Sequence, residues 1–197
     1  MNQDELFSAI TAAPERLYVD WVPLQGTDIE VTAQPVRLDG PTGPIVPVCE
    51  RVAKRMALML DAALTTPDTE DAIWTRADIR LLPKLYPNNG SWEQALLWSA
   101  WADSELALRH PGPHTLISFG DKVWLAVASE QGRVANYGLH VAAEHCSPSG
   151  TWRGMATYPS ATQPLARVVQ PLAYAHNAAH ADYSQHCRLW RHREDRK

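Results

Sequence analysis

Little in this sequence announces a function. Of its 197 residues only three are cysteines, Cys49, Cys146 and Cys187. They form no CxxC pair and are odd in number, which argues against a disulfide framework. Phenylalanine occurs only twice. No apolar run approaches the roughly 20 residues that span a bilayer, so no membrane segment is expected. The opening stretch MNQDELFSAITAAPERL is acidic and mildly amphipathic. It lacks the basic and apolar regions of a signal peptide, so the chain as written reads as cytoplasmic. Basic residues form no stripe, and the formal charge is -4. The one basic cluster is the tail Arg188, Arg191, Arg193, Arg196 and Lys197, interrupted by Glu194 and Asp195. No nucleic-acid partner is therefore expected. P-loop, GxGxxG, HExxH and G-x-S-x-G motifs are all missing, which removes the commonest nucleotide, zincin and serine-hydrolase readings.

What is present is enough for one core. Apolar residues make up 45% of the chain, and its length suits a single domain. Tryptophan is used eight times, and all eight histidines lie at or beyond His110. Any imidazole chemistry therefore belongs to the second half.

Periodicity predicts an N-terminal helix over Asp4–Ala12 and strands over Leu17–Val22 and Thr27–Val36. Helical spacing runs from Val48 to Leu64 and again over Thr69–Ile79. Ser91 caps a third such helix, whose Trp92, Ala95, Leu96, Trp98, Ala102, Leu106 and Ala107 suggest burial nearly all round. Breaks fall at 87–90 and at Pro111-Gly112-Pro113. Strands are then expected over His114–Phe119, Lys122–Ala128 and Arg133–Val141, with a turn at Gln131-Gly132. Glu144–Pro164 reads as one long loop, and Tyr183–Trp190 as a final strand. The order predicts a single-domain α+β fold, an antiparallel sheet with helices packed on one face. Residues 1–44 supply N-terminal strands, 45–110 the helical part, and 111–190 the sheet part with the expected site.

The stretch HNAAHADYSQHCRLW, His176 to Trp190, concentrates polar side chains. On a helix His176 and His180 share a face at i, i+4 and can reach one metal. On a strand His180, Asp182, Ser184, His186 and Arg188 point one way, which describes either a wet edge strand or a site. His140, at the end of a strand that opens onto the long loop, is the residue that would converge with them. His140, His176 and Asp182 then make a His₂-carboxylate set. Such a set either performs general acid–base work or holds a divalent metal such as zinc.

Those residues also carry a resemblance. Val169-Gln170-Pro171-Leu172, His176, Asp182-Tyr183-Ser184 and Arg188 are similar, in order, to the "IQPL…H…DYSHGIRLV" pattern of a bacterial protein family. The members of that family are largely uncharacterised and often look exported. Arg133–His140 resembles its "RVAIYGWH", and Asp71-Ala72-Ile73-Trp74 through Pro83 its "DIYRQA…VKLEP". The likeness spans residues 45–190. Two departures stand out. Ser184-Gln185-His186 replaces Ser-His-Gly, which shifts a histidine to the other face of a strand. Ser118–Val123 replaces a basic "GHKKDVV". The resemblance implies a site at His140, His176 and Asp182 and names no reaction.

The leading expectation is a hydrolase acting on a glycan or peptidoglycan-type substrate. His140 and Asp182 form its acid/base pair, and His176 orients or binds metal. Tyr137, Tyr183, Ser184, Arg188 and Trp152 contact substrate, with Trp152 and Tyr158 stacking on sugar rings if exposed. The alternative is a non-catalytic binding or structural module, including a phage or effector accessory protein, that keeps the fold.

Overall fold

The computed structural model describes residues 1–86, 91–126, 133–160, 162–163, 166–182 and 184–195. The expected turns at 87–90 and 131–132, the end of the expected strand 122–128, and Tyr183 lie outside them. Helix α1 (Gln3–Ala12) starts on a capping box: the Asn2 side chain accepts from the N–H groups of Asp4 and Glu5, and Glu5 accepts from Asn2 N–H. Short strands β1 (Leu17–Tyr18), β2 (Trp21–Pro23), β3 (Ile29–Thr32) and β4 (Arg37–Leu38) follow. Helix α2 (Glu50–Met59) buries Val52, Ala53, Met56 and Ala57. It ends before the expected Leu64 because Asp61 takes a left-handed conformation (φ 49°). Ala63–Leu64 then becomes β5.

Helix α3 (Pro67–Arg76) is capped by Thr66, whose hydroxyl accepts from Thr69 N–H, with Pro67 in the first turn. After β6 (Ile79–Arg80), Ser91 caps α4 (Trp92–Arg109). This helix is amphipathic rather than buried all round. Ala95, Trp98, Ser99, Ala102 and Leu106 face the core, while Leu96, Leu97 and Leu108 are exposed. Strands β7 (Ile117–Ser118), β8 (Lys122–Trp124), β9 (Arg133–Ala142), β10 (Thr151–Trp152), β11 (Met155–Ala156), β12 (Tyr158–Pro159), β13 (Ala166–Asn177), β14 (Gln185–His186) and β15 (Leu189–His192) complete the chain.

The largest sheet has the order β12-β13-β9-β8-β14, antiparallel except for the parallel β8–β14 pair. A second sheet, β2-β3-β15-β5, joins the N-terminal strands to the C-terminal one. Residues 1–44 therefore do not stand apart, and the α+β fold is closed by both ends of the chain. On one face of the large sheet, Val123, Leu125, Ala135, Tyr137 and Val168 form a cluster. On the other, Trp124 and Val134 join the core built on α1 and α2.

One strand was not expected from the sequence, and two expectations are corrected. β13 is the longest strand, and Pro171 inside it hides the pattern. The register against β9 shifts between Gln170 and Ala173, an irregularity that accommodates a residue with no N–H to donate. The stretch expected as one long loop folds into a β10–β11 hairpin and the edge strand β12. Its turn, Arg153-Gly154, has both φ angles positive (49° and 79°), as a two-residue hairpin requires. The final strand is split into β14 and β15 and is no wet edge. Gln185, His186, Cys187 and Arg188 are all buried, on both sides of the backbone.

Gly138 sets the geometry of β9. Its φ is 136°, and a Cβ there would lie 2.3 Å from the Asp121 carbonyl oxygen. Leu139 beside it is left-handed at φ 56°. Gly138→Ala is expected to destabilise the fold by about 3 kcal/mol, from backbone strain plus overlap. Thermal unfolding checks this: a fall in Tm on the order of 10 °C is expected, and a wild-type Tm contradicts it.

Candidate functional site

α3 packs against β9 and places two acidic residues, Glu70 and Asp71, on its buried side. Asp71 is wholly shielded from solvent and is held by four donors. Its Oδ1 accepts from the Tyr137 hydroxyl at 2.7 Å and sits 2.8 Å from His140 Nε2. Its Oδ2 accepts from Thr162 N–H at 2.8 Å and the Thr162 hydroxyl at 3.0 Å. Tyr137 and His140 are three residues apart and in a regular strand would face opposite ways. The departure from extended backbone at Gly138-Leu139 turns both onto one oxygen. Trp74, one helical turn beyond Asp71, stacks on His140 with ring centroids 6.1 Å apart and planes 21° apart.

Burial alone would raise the Asp71 carboxyl. The hydrogen bonds from His140, Tyr137 and Thr162 outweigh it, and the group titrates below its ordinary range. A carboxylate held ionised against Nε2 favours the tautomer with the proton on that nitrogen. Nδ1 is then the ring's acceptor nitrogen, and it makes no hydrogen bond among the described residues. His140 lines a cavity of about 220 Å³ together with Trp74, Arg80, Glu144 and His145. A larger cavity of about 500 Å³ shares the Trp74, Arg80 and Glu144 walls and extends to Gln163. Arg80 lies over the Trp74 ring at 5.2 Å and donates to the carbonyls of Trp74 and Thr75, closing the C-terminal end of α3.

The other expected site residues lie elsewhere. Asp182 is buried and pairs with the Lys122 ammonium, and it accepts from Ser184 N–H at 2.9 Å and the Ser184 hydroxyl at 2.7 Å. Burial would raise its carboxyl, but Lys122 and Ser184 bring it below the usual aspartate range. Lys122 stands opposite Gly138 and Val123 opposite Tyr137. Asp182 therefore meets the face of the sheet away from Tyr137. His176 stacks on His180, centroids 4.1 Å and planes 2° apart, and presents its edge to Trp124. Burial, then the charges of His180 and Lys122, lower the His176 imidazole.

His140 and Asp182 thus have separate partners, and His140, His176 and Asp182 do not gather into one centre. Among the described residues no group of three His, Cys, Asp or Glu side chains is placed to hold a metal ion. Arg188 is buried and donates to the carbonyls of Thr32 and Ile117, so it is not open to substrate. Trp152 is buried as well, because the hairpin folds its ring inward. Tyr158 is exposed. Tyr183 lies outside the described residues.

Asp71, Trp74 and Glu144 were missed as site residues. The signal for the first two was the pair Asp71…Trp74 at i, i+3 on a predicted helix, which places a carboxylate and an aromatic on one side. Near a helix start, an acidic residue is equally well explained by the helix dipole, and that reading concealed it. Comparison with protein families, curated proteins and solved structures finds no match.

The Asp71 network has a pH signature. A carboxyl whose folded-state pKa lies below its ordinary 3.8 stabilises the fold fully above that value. The contribution is lost as pH falls through the lowered folded value. Asp71→Asn, which leaves the Tyr137, His140 and Thr162 donors facing an amide, is expected to cost about 3 kcal/mol at pH 7. It should also flatten the loss of Tm below about pH 4. Tm measured from pH 7 to pH 2 on both proteins decides this, and parallel curves would show that Asp71 carries no special weight.

Proposed function

We propose that this chain is a hydrolase acting on a glycan or peptidoglycan-type substrate, with His140 as the proton-transfer group. The observation that carries this reading is that His140, oriented by a saturated, ionised Asp71, lines the same cavity as Trp74 and Glu144. Asp71 replaces Asp182 as the partner of the imidazole. With Nε2–H directed to Asp71, Nδ1 takes the proton of an attacking water as the water oxygen bonds to the scissile centre. The same nitrogen, once protonated, is a donor for a leaving group. Glu144 supplies a second carboxyl on the cavity wall that can orient the water or protonate the departing oxygen. Trp74 lines both this cavity and its larger neighbour and offers aromatic surface against which a sugar ring packs. Tyr137 acts through Asp71 and is a positioning residue.

A second reading, a binding module without turnover, is favoured by one feature. Both oxygens of Asp71 are spent on donors from β9 and Thr162, so the network also works as a staple between elements.

Turnover separates the two. Peptidoglycan sacculi and chitooligosaccharides are incubated with the protein, and new reducing ends or released peptides are measured. His140→Gln is expected to lower the rate by about two to four orders of magnitude. Glu144 is exposed, so Glu144→Gln tests the same cavity without a folding cost. Rates for both variants equal to wild type overturn the assignment. Absence of turnover, with tryptophan fluorescence quenched by the same oligosaccharides, leaves the binding module in its place.

A further inference from the structure

We infer that the cavity adjoining His140 beyond Arg80 is an oxyanion subsite, which makes the preferred ligand one bearing a phosphate or carboxylate group. This cavity, about 450 Å³, is lined by Arg80, Lys84, Arg109, His145 and Arg153, with Glu105 among them. Four permanent cations thus face one carboxylate in a chain whose formal charge is -4. Glu105 is already paired with Arg109 at 2.6 Å. Arg80, Lys84 and Arg153 have no carboxylate partner among the described residues.

These three cations are nonetheless held in place. Arg80 is fixed by two carbonyls and the Trp74 ring. Lys84 lies over Tyr86 at 5.5 Å, and Arg153 over Trp152 at 4.9 Å. Aromatic faces orient a cation without neutralising it, so the charge stays available to a ligand. They come from two separate parts of the chain: the segment from β6 to Lys84, and the tip of the β10–β11 hairpin. Like charges brought together without counter-charges repel one another. That repulsion is relieved when an anion enters, and a concave wall focuses the field further.

The subsite shares Arg80, Leu81, Leu82 and His145 with the cavity that holds His140. An anionic group seated there would place its neighbouring bond in the His140 cavity. The role in substrate choice rests on the hydrolase reading above; the binding of an anion does not.

The test is calorimetric titration of the full chain with inorganic pyrophosphate in one arm and oligogalacturonate in the other, with neutral chitooligosaccharide as the control. Saturable binding of at least one anion that weakens steeply with added salt is expected. Pyrophosphate alone assigns a phosphoryl ligand, and oligogalacturonate alone or both assign a carboxylate-bearing glycan. Lys84 is half-buried and Arg153 exposed, so neither substitution opens the core. Lys84→Ala with Arg153→Ala is expected to weaken binding by about a hundredfold, roughly tenfold for each charged contact removed. Arg153→Glu alone should abolish it. His140→Gln should leave anion binding at the wild-type level. A wild-type chain that binds the anion but turns over none of the glycans fails the hydrolase reading and keeps the subsite. No binding of either anion by the wild type, or equal binding by the double variant, overturns the subsite.

Discussion

A single buried carboxylate organises the side of this protein that carries the His140 cavity. Asp71 belongs to a helix, Tyr137 and His140 to the central strand of the large sheet, and Thr162 to the segment between the last two strands of that sheet's edge. Stripped of water, an isolated carboxylate would be costly by several kcal/mol, and only a full set of donors makes its burial tolerable. The four hydrogen bonds it accepts meet that requirement. Every element that supplies a donor is thereby fixed with respect to the others. The wall of the His140 cavity is a consequence of that arrangement, since Trp74 lies one turn from Asp71 and Glu144 follows the end of β9.

The same logic recurs deeper in the molecule. Glu70, the neighbour of Asp71, is buried close to Arg188, and burial pushes its carboxyl up while the guanidinium works against that. Arg188 in turn stands near Asp121, whose own partner is His186 at 3.1 Å. The His186 ring packs on Trp98 with centroids 4.1 Å apart. The parallel β8–β14 pair is only two residues long, and it is bracketed by two contacts: the hydrogen bond between Asp121 and His186, and the ion pair of Lys122 with Asp182. Adjacent residues of a strand point to opposite faces, so these pairs clamp the junction from both sides. The polar run near the C-terminus is in this sense structural. Its histidine, aspartate and arginine serve to bury a short strand.

That outcome separates two kinds of polar cluster that look alike in one dimension. Asp182 and Arg188 end buried, engaged with Lys122, Ser184 and backbone carbonyls. His140 ends with one nitrogen engaged and a cavity in front of it. In the adjoining cavity Arg80, Lys84 and Arg153 lie over aromatic rings and pair with no carboxylate among the described residues.

Local chemistry in the sequence was enough for the elements governed by neighbours in the chain. Ser91 caps the helix it precedes, and the apolar spacing of α2 and the α+β class follow from the same kind of rule. The strand carrying His140 was legible from its alternation, although it runs on to Ala142. Tertiary structure alone decided the rest. β13 contains Pro171, which local rules exclude from a strand, and only pairing with β9 across a register shift makes it one. The partner of His140 lies 69 positions away on a helix, at a distance where no periodicity carries information. Two neighbouring backbone angles at Gly138 and Leu139 determine that Tyr137 and His140 face the same carboxylate. Long-range burial sets which polar side chains are saturated and which are left to act, and that cannot be read from the order of residues alone.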